Sequence, residues 1–246
     1  MSLLCCHSSI VSLITQQRHE YTLLHFTFER GWLHQHLNSM LGLRMPRPPL
    51  LWPSIVTPVE ETAAIKDLYA HLTGLEFSAE AWEAALLLYR TANQPPSSIS
   101  SSVARRWHFI ACNECVLELY HLRARLEKIR SIKLRNCPSL RSFLDTSKMR
   151  SASKRLDEYF PYIESLRHAT AHKGENEAHP EIHAPDGQWA LTGFFEPDRF
   201  SAPYKGQLCY LDITEHSLQR INEVIVEFFS AFETAAVELE KQGHLE

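Results

Sequence analysis

The stretch "SLRHATAHKG" (165–174) holds Arg167, His168 and His172 within six positions. This set of side chains could act on a phosphodiester. An arginine fork matches the geometry of phosphoryl oxygens. An imidazole, with an unperturbed pKa of ~6.5, can take up and give back protons near neutrality. Attack of a ribose 2′-OH on its own phosphate needs a base, an acid for the departing 5′-oxygen, and a cation for the developing charge. Spacing constrains this reading. Five residues of ideal helix turn through roughly 500°, so Arg167 and His172 would point about 140° apart. His168 and His172, four apart, would share a face. Arginine and His172 therefore reach one phosphate only if the helix loosens at its end or two copies pool their motifs. The competing reading is electrostatic: Arg167, His168 and Lys173 complement the negative end of a helix dipole, with His172 in the cap.

Two other clusters carry potential ligands. "HKGENEAHPEIH" offers His172, His179 and His183 among Glu175, Glu177 and Glu181. Pro180 breaks any helix that would align them, and the spacing matches no established zinc motif; the segment reads as a hydrated acidic loop. "HFIACNEC" places His108, Cys112 and Cys115 on one helical face. A lone CxxC in an apolar helix reads as core packing rather than as a metal or redox centre. No metal or other cofactor is expected.

Charge is strongly segregated behind a net value of -4. Residues 100–155 carry +9 and residues 156–246 carry -11. The densest basic part runs from Arg123 to Arg135 and includes Arg125, Lys128, Arg130 and Lys133. It is either a nucleic-acid footprint or a solvated helix face paired with the acidic C-terminal part. With only Gly 8 and no GxGxxG or P-loop pattern, phosphate-cradling glycine loops are excluded. The sparse cysteines point to reduced thiols and a cytoplasmic setting. No apolar run reaches the ~18 residues of a membrane span, so no membrane association is expected.

The elements that must position these residues are mostly helical. Residues 1–45 lack clean periodicity and carry five histidines; they are expected to be an N-terminal extension. Met45 as the true start is one hypothesis, which the intact mass of the native protein would settle. Residues 46–100 read as a proline-rich linker followed by two short helices. The first is capped by Thr57 and stopped by Gly74; the second is capped by Ser78. Residues 101–246 read as a helical bundle. It contains one very long helix over 101–133, another over 146–173 with a kink or a restart at Pro161, and a last one capped by Thr214. Between the last two, the alternating runs 187–196 and 206–213 suggest a β-hairpin with a nine-residue loop. The fold class is therefore mainly α: an antiparallel helical bundle with an inserted two-stranded β-hairpin near residues 187–213.

An arginine, a polar residue directly after it and a histidine five positions on, at the end of a bundle helix, resemble the HEPN superfamily (higher eukaryote and prokaryote nucleotide-binding). Its members are helical bundles carrying R-x(4–6)-H at that place. The resemblance spans roughly residues 100 to 240. It implies metal-independent RNA cleavage of the toxin or phage-defence type, with Arg167 on the scissile phosphate, His172 as general acid/base and His168 in support. Arg123, Arg125, Lys128, Arg130, Lys133 and Arg135 would guide RNA. A homodimer and an antitoxin or nucleotidyltransferase partner are also implied. The same resemblance is compatible with a non-catalytic module binding RNA, nucleotide or protein. One departure is the acidic segment after the motif, which would repel an RNA backbone placed beside it.

Overall fold

The computed structural model describes residues 45–53, 57–131, 133–171, 194–196 and 198–243, and the statements below concern these. They belong to one compact unit, Met45–Glu246. The architecture is mainly α, a helical bundle with a small antiparallel sheet inserted before the last helices.

Helix α1 spans Val59–Asn93 and helix α2 spans Ser101–Ser131. They pack along most of their length and form the backbone of the bundle. On α1 the residues Ile65, Leu68, Leu72, Leu75, Trp82, Leu86 and Tyr89 are all buried, a three- and four-residue rhythm that keeps one stripe facing α2. The facing stripe of α2 is Cys115, Leu119, Leu122, Leu126 and Ile129. The two short helices expected within 46–100 are thus one 35-residue helix, and it belongs to the bundle.

Gly74 does not stop α1 because its missing side chain is filled by a neighbour. A Cβ built at Gly74 would lie 3.2 Å from Arg125 Nε. Arg125 donates from Nη1 to the Gly74 carbonyl at 2.7 Å and to Ser78 Oγ. Ser78 is therefore a buried acceptor inside the helix rather than a cap. The N-cap position of α1 falls on Pro58 rather than on Thr57, and Pro58 has an extended backbone. Glu60 and Glu61 in the first turn suit the positive helix end. Glu61 is also buried, and accepts from the backbone N–H and the hydroxyl of Ser139 at 3.1 and 2.7 Å. The proline-rich approach is anchored at Leu51, which is fully buried.

After α2, two short 3-10 turns (Lys133–Asn136 and Pro138–Phe143) lead to α3, Thr146–Tyr159. Asp145 caps α3 by accepting from Ser147 N and Lys148 N at 3.0 and 3.2 Å. Of the two outcomes expected at Pro161, a kink or a restart, the structure shows the restart. Phe160, with φ -133 and ψ 65, leaves helical geometry as residues before proline do. Helix α4, Ile163–Ala171, then restarts the chain.

The sheet has three strands, β1 (Phe194–Glu196), β2 (Arg199–Tyr204) and β3 (Gln207–Asp212), in that order. The hairpin β2–β3 lies within the expected region, but the segment assigned to its loop is itself strand β2. The real turn is Lys205–Gly206, both at positive φ (50° and 74°). That is the two-residue geometry whose twist matches paired strands. Phe200, Ala202, Cys209 and Leu211 bury one face. The expected final helix is two, α5 (Glu215–Ser230) and α6 (Glu233–Gly243), broken at buried Ala231 and Phe232. Thr214 caps α5 as expected, accepting from Ser217 N at 3.2 Å. No helix among the described residues is long and apolar enough to cross a membrane.

Candidate functional site

The arginine motif rides on α4, whose Ile163, Leu166 and Ala169 are buried and dock it against α2 and the sheet. That packing leaves Arg167 and His168 on the flank, each partly exposed. Both are held by aromatic rings. The Arg167 guanidinium lies over Tyr120 of α2, 4.2 Å from the ring centre. His168 stacks on Tyr204 of β2 at 5.6 Å with 11° between planes. Arginine over a tyrosine face gains cation–π attraction while keeping edge N–H groups for a further partner.

One carboxylate sits among the cations. Glu164, a turn earlier on α4, lies 3.9 Å from Arg167 Nη1 and 3.5 Å from His168 Nε2. Arg123 of α2 approaches it at 3.8 Å and pairs more closely with Asp157 of α3, at 3.1 Å. Three cationic or potentially cationic groups therefore converge on the space that Glu164 occupies. Helix α4 ends at Ala171, where the Thr170 hydroxyl donates to the Arg167 carbonyl at 3.1 Å. His172 and the acidic loop after it, with His179 and His183, lie outside the described residues.

The remaining basic residues do not form one face. Arg125 points into the α1–α2 interface, as described above. Lys133 pairs with Asp67, whose pKa is held down chiefly by that hydrogen bond. Lys128, Arg130 and Arg135 are exposed. Arg123 and Arg130 line a groove of about 490 Å³ between α2 and α3, together with Arg150 but also Glu127 and Asp157. The structure thus brings Arg123 to Arg167 and His168, whereas Arg125, Lys128 and Lys133 lie near His71 of α1 instead.

The other cluster behaves as packing. Cys112 and Cys115 are buried free thiols, pushed up in pKa by burial. His108 turns away to Asn93, with Nε2 2.6 Å from Oδ1. Among the described residues no group of three or more histidine, cysteine or carboxylate side chains could hold a metal ion.

Sequence reasoning missed the tyrosines. Tyr120 and Tyr204 come from α2 and β2, and nothing local in either segment marks them as partners of α4. Further tyrosines gather at the Pro161 break. A cavity of about 240 Å³ is walled by Tyr159, Tyr162, Tyr210 and Arg220 over a floor that includes Val116 and Leu119. Tyr162 and Tyr210 meet at 5.1 Å, and Arg220 lies over Tyr159 at 5.0 Å. The local signal was the proline itself, since a broken helix exposes side chains at both new ends.

A scan against protein-family models, a search of curated proteins and a search of solved structures each find no match to this chain.

Proposed function

We propose that this protein is a HEPN-like RNA-binding bundle whose motif serves metal-independent RNA cleavage. The observation that carries the reading is the placement of Arg167. Its guanidinium is oriented by Tyr120, lies on the same side of the bundle as Arg123, and keeps part of its surface open to solvent. Two arginines and an adjacent imidazole around one anionic position are what a bound phosphate group requires. Glu164 holds that position without RNA, and a phosphate would compete with it.

In the proposed reaction an imidazole takes the proton of the ribose 2′-OH. The 2′-oxygen then bonds to phosphorus, and the P–O5′ bond breaks. The departing 5′-oxygen receives a proton from an imidazolium, leaving a 2′,3′-cyclic phosphate and a 5′-hydroxyl. Arg167 neutralises charge on the non-bridging oxygens. His172 is the proton carrier and His168 the supporting group. A homodimer would supply two such sets, and an antitoxin or nucleotidyltransferase would restrain a nuclease of the toxin or phage-defence kind.

The test is degradation of RNA in the presence of EDTA by the wild type and its loss in His172→Ala. Undiminished cleavage by that variant would remove His172 from the role. A second reading, binding of RNA, nucleotide or a protein without cleavage, is favoured by the same Glu164 contacts, because the cations are already partly neutralised. It predicts that the wild type retains RNA intact and that His172→Ala binds as tightly.

A further inference from the structure

The break between α3 and α4 leaves a cavity that the arginine motif does not use. One helix ends at Tyr159 and the next begins at Ile163, so the chain between them cannot fill the space beside α2 and the hairpin. The cavity holds about 240 Å³ over a floor of Val116, Leu119, Leu166 and Leu211, all buried. Tyr162 and Tyr210 form one wall, with ring centres 5.1 Å apart and planes tilted by 56°. Rings this close are already in contact, so a third ring would lie against the pair, edge to face, rather than between them.

Charge around the cavity is unevenly matched. Glu158, Asp212 and Arg220 are the charged side chains that line it. Both acids have partners: Asp212 accepts from Arg199 Nε at 2.6 Å, and Glu158 pairs with Lys154 at 3.4 Å. Arg220 lies over Tyr159, 5.0 Å from the ring centre, and has no ion pair among the described residues. Glu223, three positions on, instead accepts from the Tyr159 hydroxyl at 2.8 Å. The buried Ser217 in the same wall donates to the Asp212 carbonyl at 2.6 Å, so it asks nothing of a ligand. The unbalanced charge at this cavity is therefore positive and sits on Arg220.

We propose that the cavity binds a small monoanion built on one aromatic ring, with the ring on the apolar floor against Tyr162 and Tyr210 and a carboxylate on Arg220. The volume is below the ~300–1,000 Å³ of sites for drug-sized ligands, which limits the occupant to about one ring. The floor and the tyrosine wall select a flat apolar body, and an aliphatic acid forfeits the aromatic contacts. The guanidinium fork matches a carboxylate. A dianionic phosphate is disfavoured because Glu158 and Asp212 stand beside the same position. An open hollow of about 440 Å³, lined by Thr214 and His216, adjoins Arg220 and gives the charged end a way in from solvent.

The cavity is separate from the motif and does not rest on the RNA reading. Leu119 and Leu166 lie in its floor, whereas their chain neighbours Tyr120 and Arg167 meet each other outside it.

Fluorine NMR of 4-fluorobenzoate titrated with the full chain near neutral pH tests this. Saturable broadening is expected, with a dissociation constant of about 1 mM or tighter. The uncharged 4-fluorobenzamide should bind about tenfold more weakly, the effect of losing one charge-assisted pair. Arg220→Gln, at a half-buried position, should weaken the acid about tenfold and leave the amide unchanged. Tyr210→Ala should weaken both, with helical circular dichroism retained. Arg167→Ala should bind the acid as the wild type does. No saturation up to about 10 mM, equal affinity for acid and amide, full affinity in Arg220→Gln, or a loss in Arg167→Ala would overturn the proposal. None of these readouts involves RNA, so their failure is distinct from failure of the nuclease reading.

Discussion

Arg125 lies in the densest basic stretch of the chain, yet its surroundings make it a strut. Its Nη1 donates to the Gly74 carbonyl and to Ser78 across the α1–α2 interface. A hydrogen bond from a charged group contributes about 1.5–3 kcal/mol. The guanidinium is only part-buried, and the Gly74 carbonyl also belongs to the helical ladder of α1, so Arg125→Ala is expected to cost about 2 kcal/mol. For a chain of this size that lowers the melting temperature by roughly 4–8 °C. Gly74 supplies the second arm. Replacing a mid-helix glycine by alanine gains up to about 1 kcal/mol, but the new Cβ would press on Arg125 Nε at 3.2 Å. Gly74→Ala should therefore be close to neutral in the wild type and stabilising by about 1 kcal/mol in the Arg125→Ala background. Urea denaturation of the four proteins, with unchanged m, measures the cycle. An Arg125→Ala variant that melts with the wild type would refute the reasoning. So would an identical Gly74→Ala increment in both backgrounds.

Three further outcomes are expected. Glu164→Gln removes the carboxylate facing Arg123, Arg167 and His168. Fluorescence anisotropy at low salt should then show RNA bound about fivefold tighter, the effect of ~1 kcal/mol from one charge at ~4 Å in water-like dielectric. Cys112, Cys115, Cys137 and Cys209 are buried free thiols, and burial raises the pKa of Cys137 to about 11. Peptide mapping after native alkylation near pH 8 should find these four unmodified. His71 is held below its ordinary pKa by burial and then by Lys133, and His108 by burial. A histidine with a lowered folded pKa binds fewer protons folded than unfolded, so its stabilisation is complete above ~6.5 and lost as pH falls below it. Melting temperature should drop on acidification through that range, and less steeply in His71→Gln with His108→Gln.

The helical class, the break at Pro161 and the cap at Thr214 were legible because each rests on local chemistry. Proline excludes helical geometry from Phe160, and a threonine before an amphipathic run satisfies the first N–H groups. Gly74 misled for the opposite reason. Its role is set by Arg125, fifty-one residues away, and a glycine that stops a helix looks the same in sequence as one that admits a neighbour. The strand Arg199–Tyr204 was hidden by Pro203 and by polar residues that read as loop. At the candidate site the arginine and histidine of α4 were visible by spacing. Tyr120, Tyr204 and the shared Glu164 contact with Arg123 were not, because they are brought together only when α2, α4 and the hairpin pack. The basic block looked continuous in sequence, but helix rotation sends Arg125 inward and Arg123 toward acids on α3 and α4.

The most direct measurement is product analysis of a defined RNA incubated with the protein in EDTA, comparing the wild type with Arg167→Ala and His172→Ala. The account predicts fragments ending in 2′,3′-cyclic phosphate and 5′-hydroxyl from the wild type, and intact RNA with either variant. Intact RNA in all three, or identical fragments in all three, would contradict it.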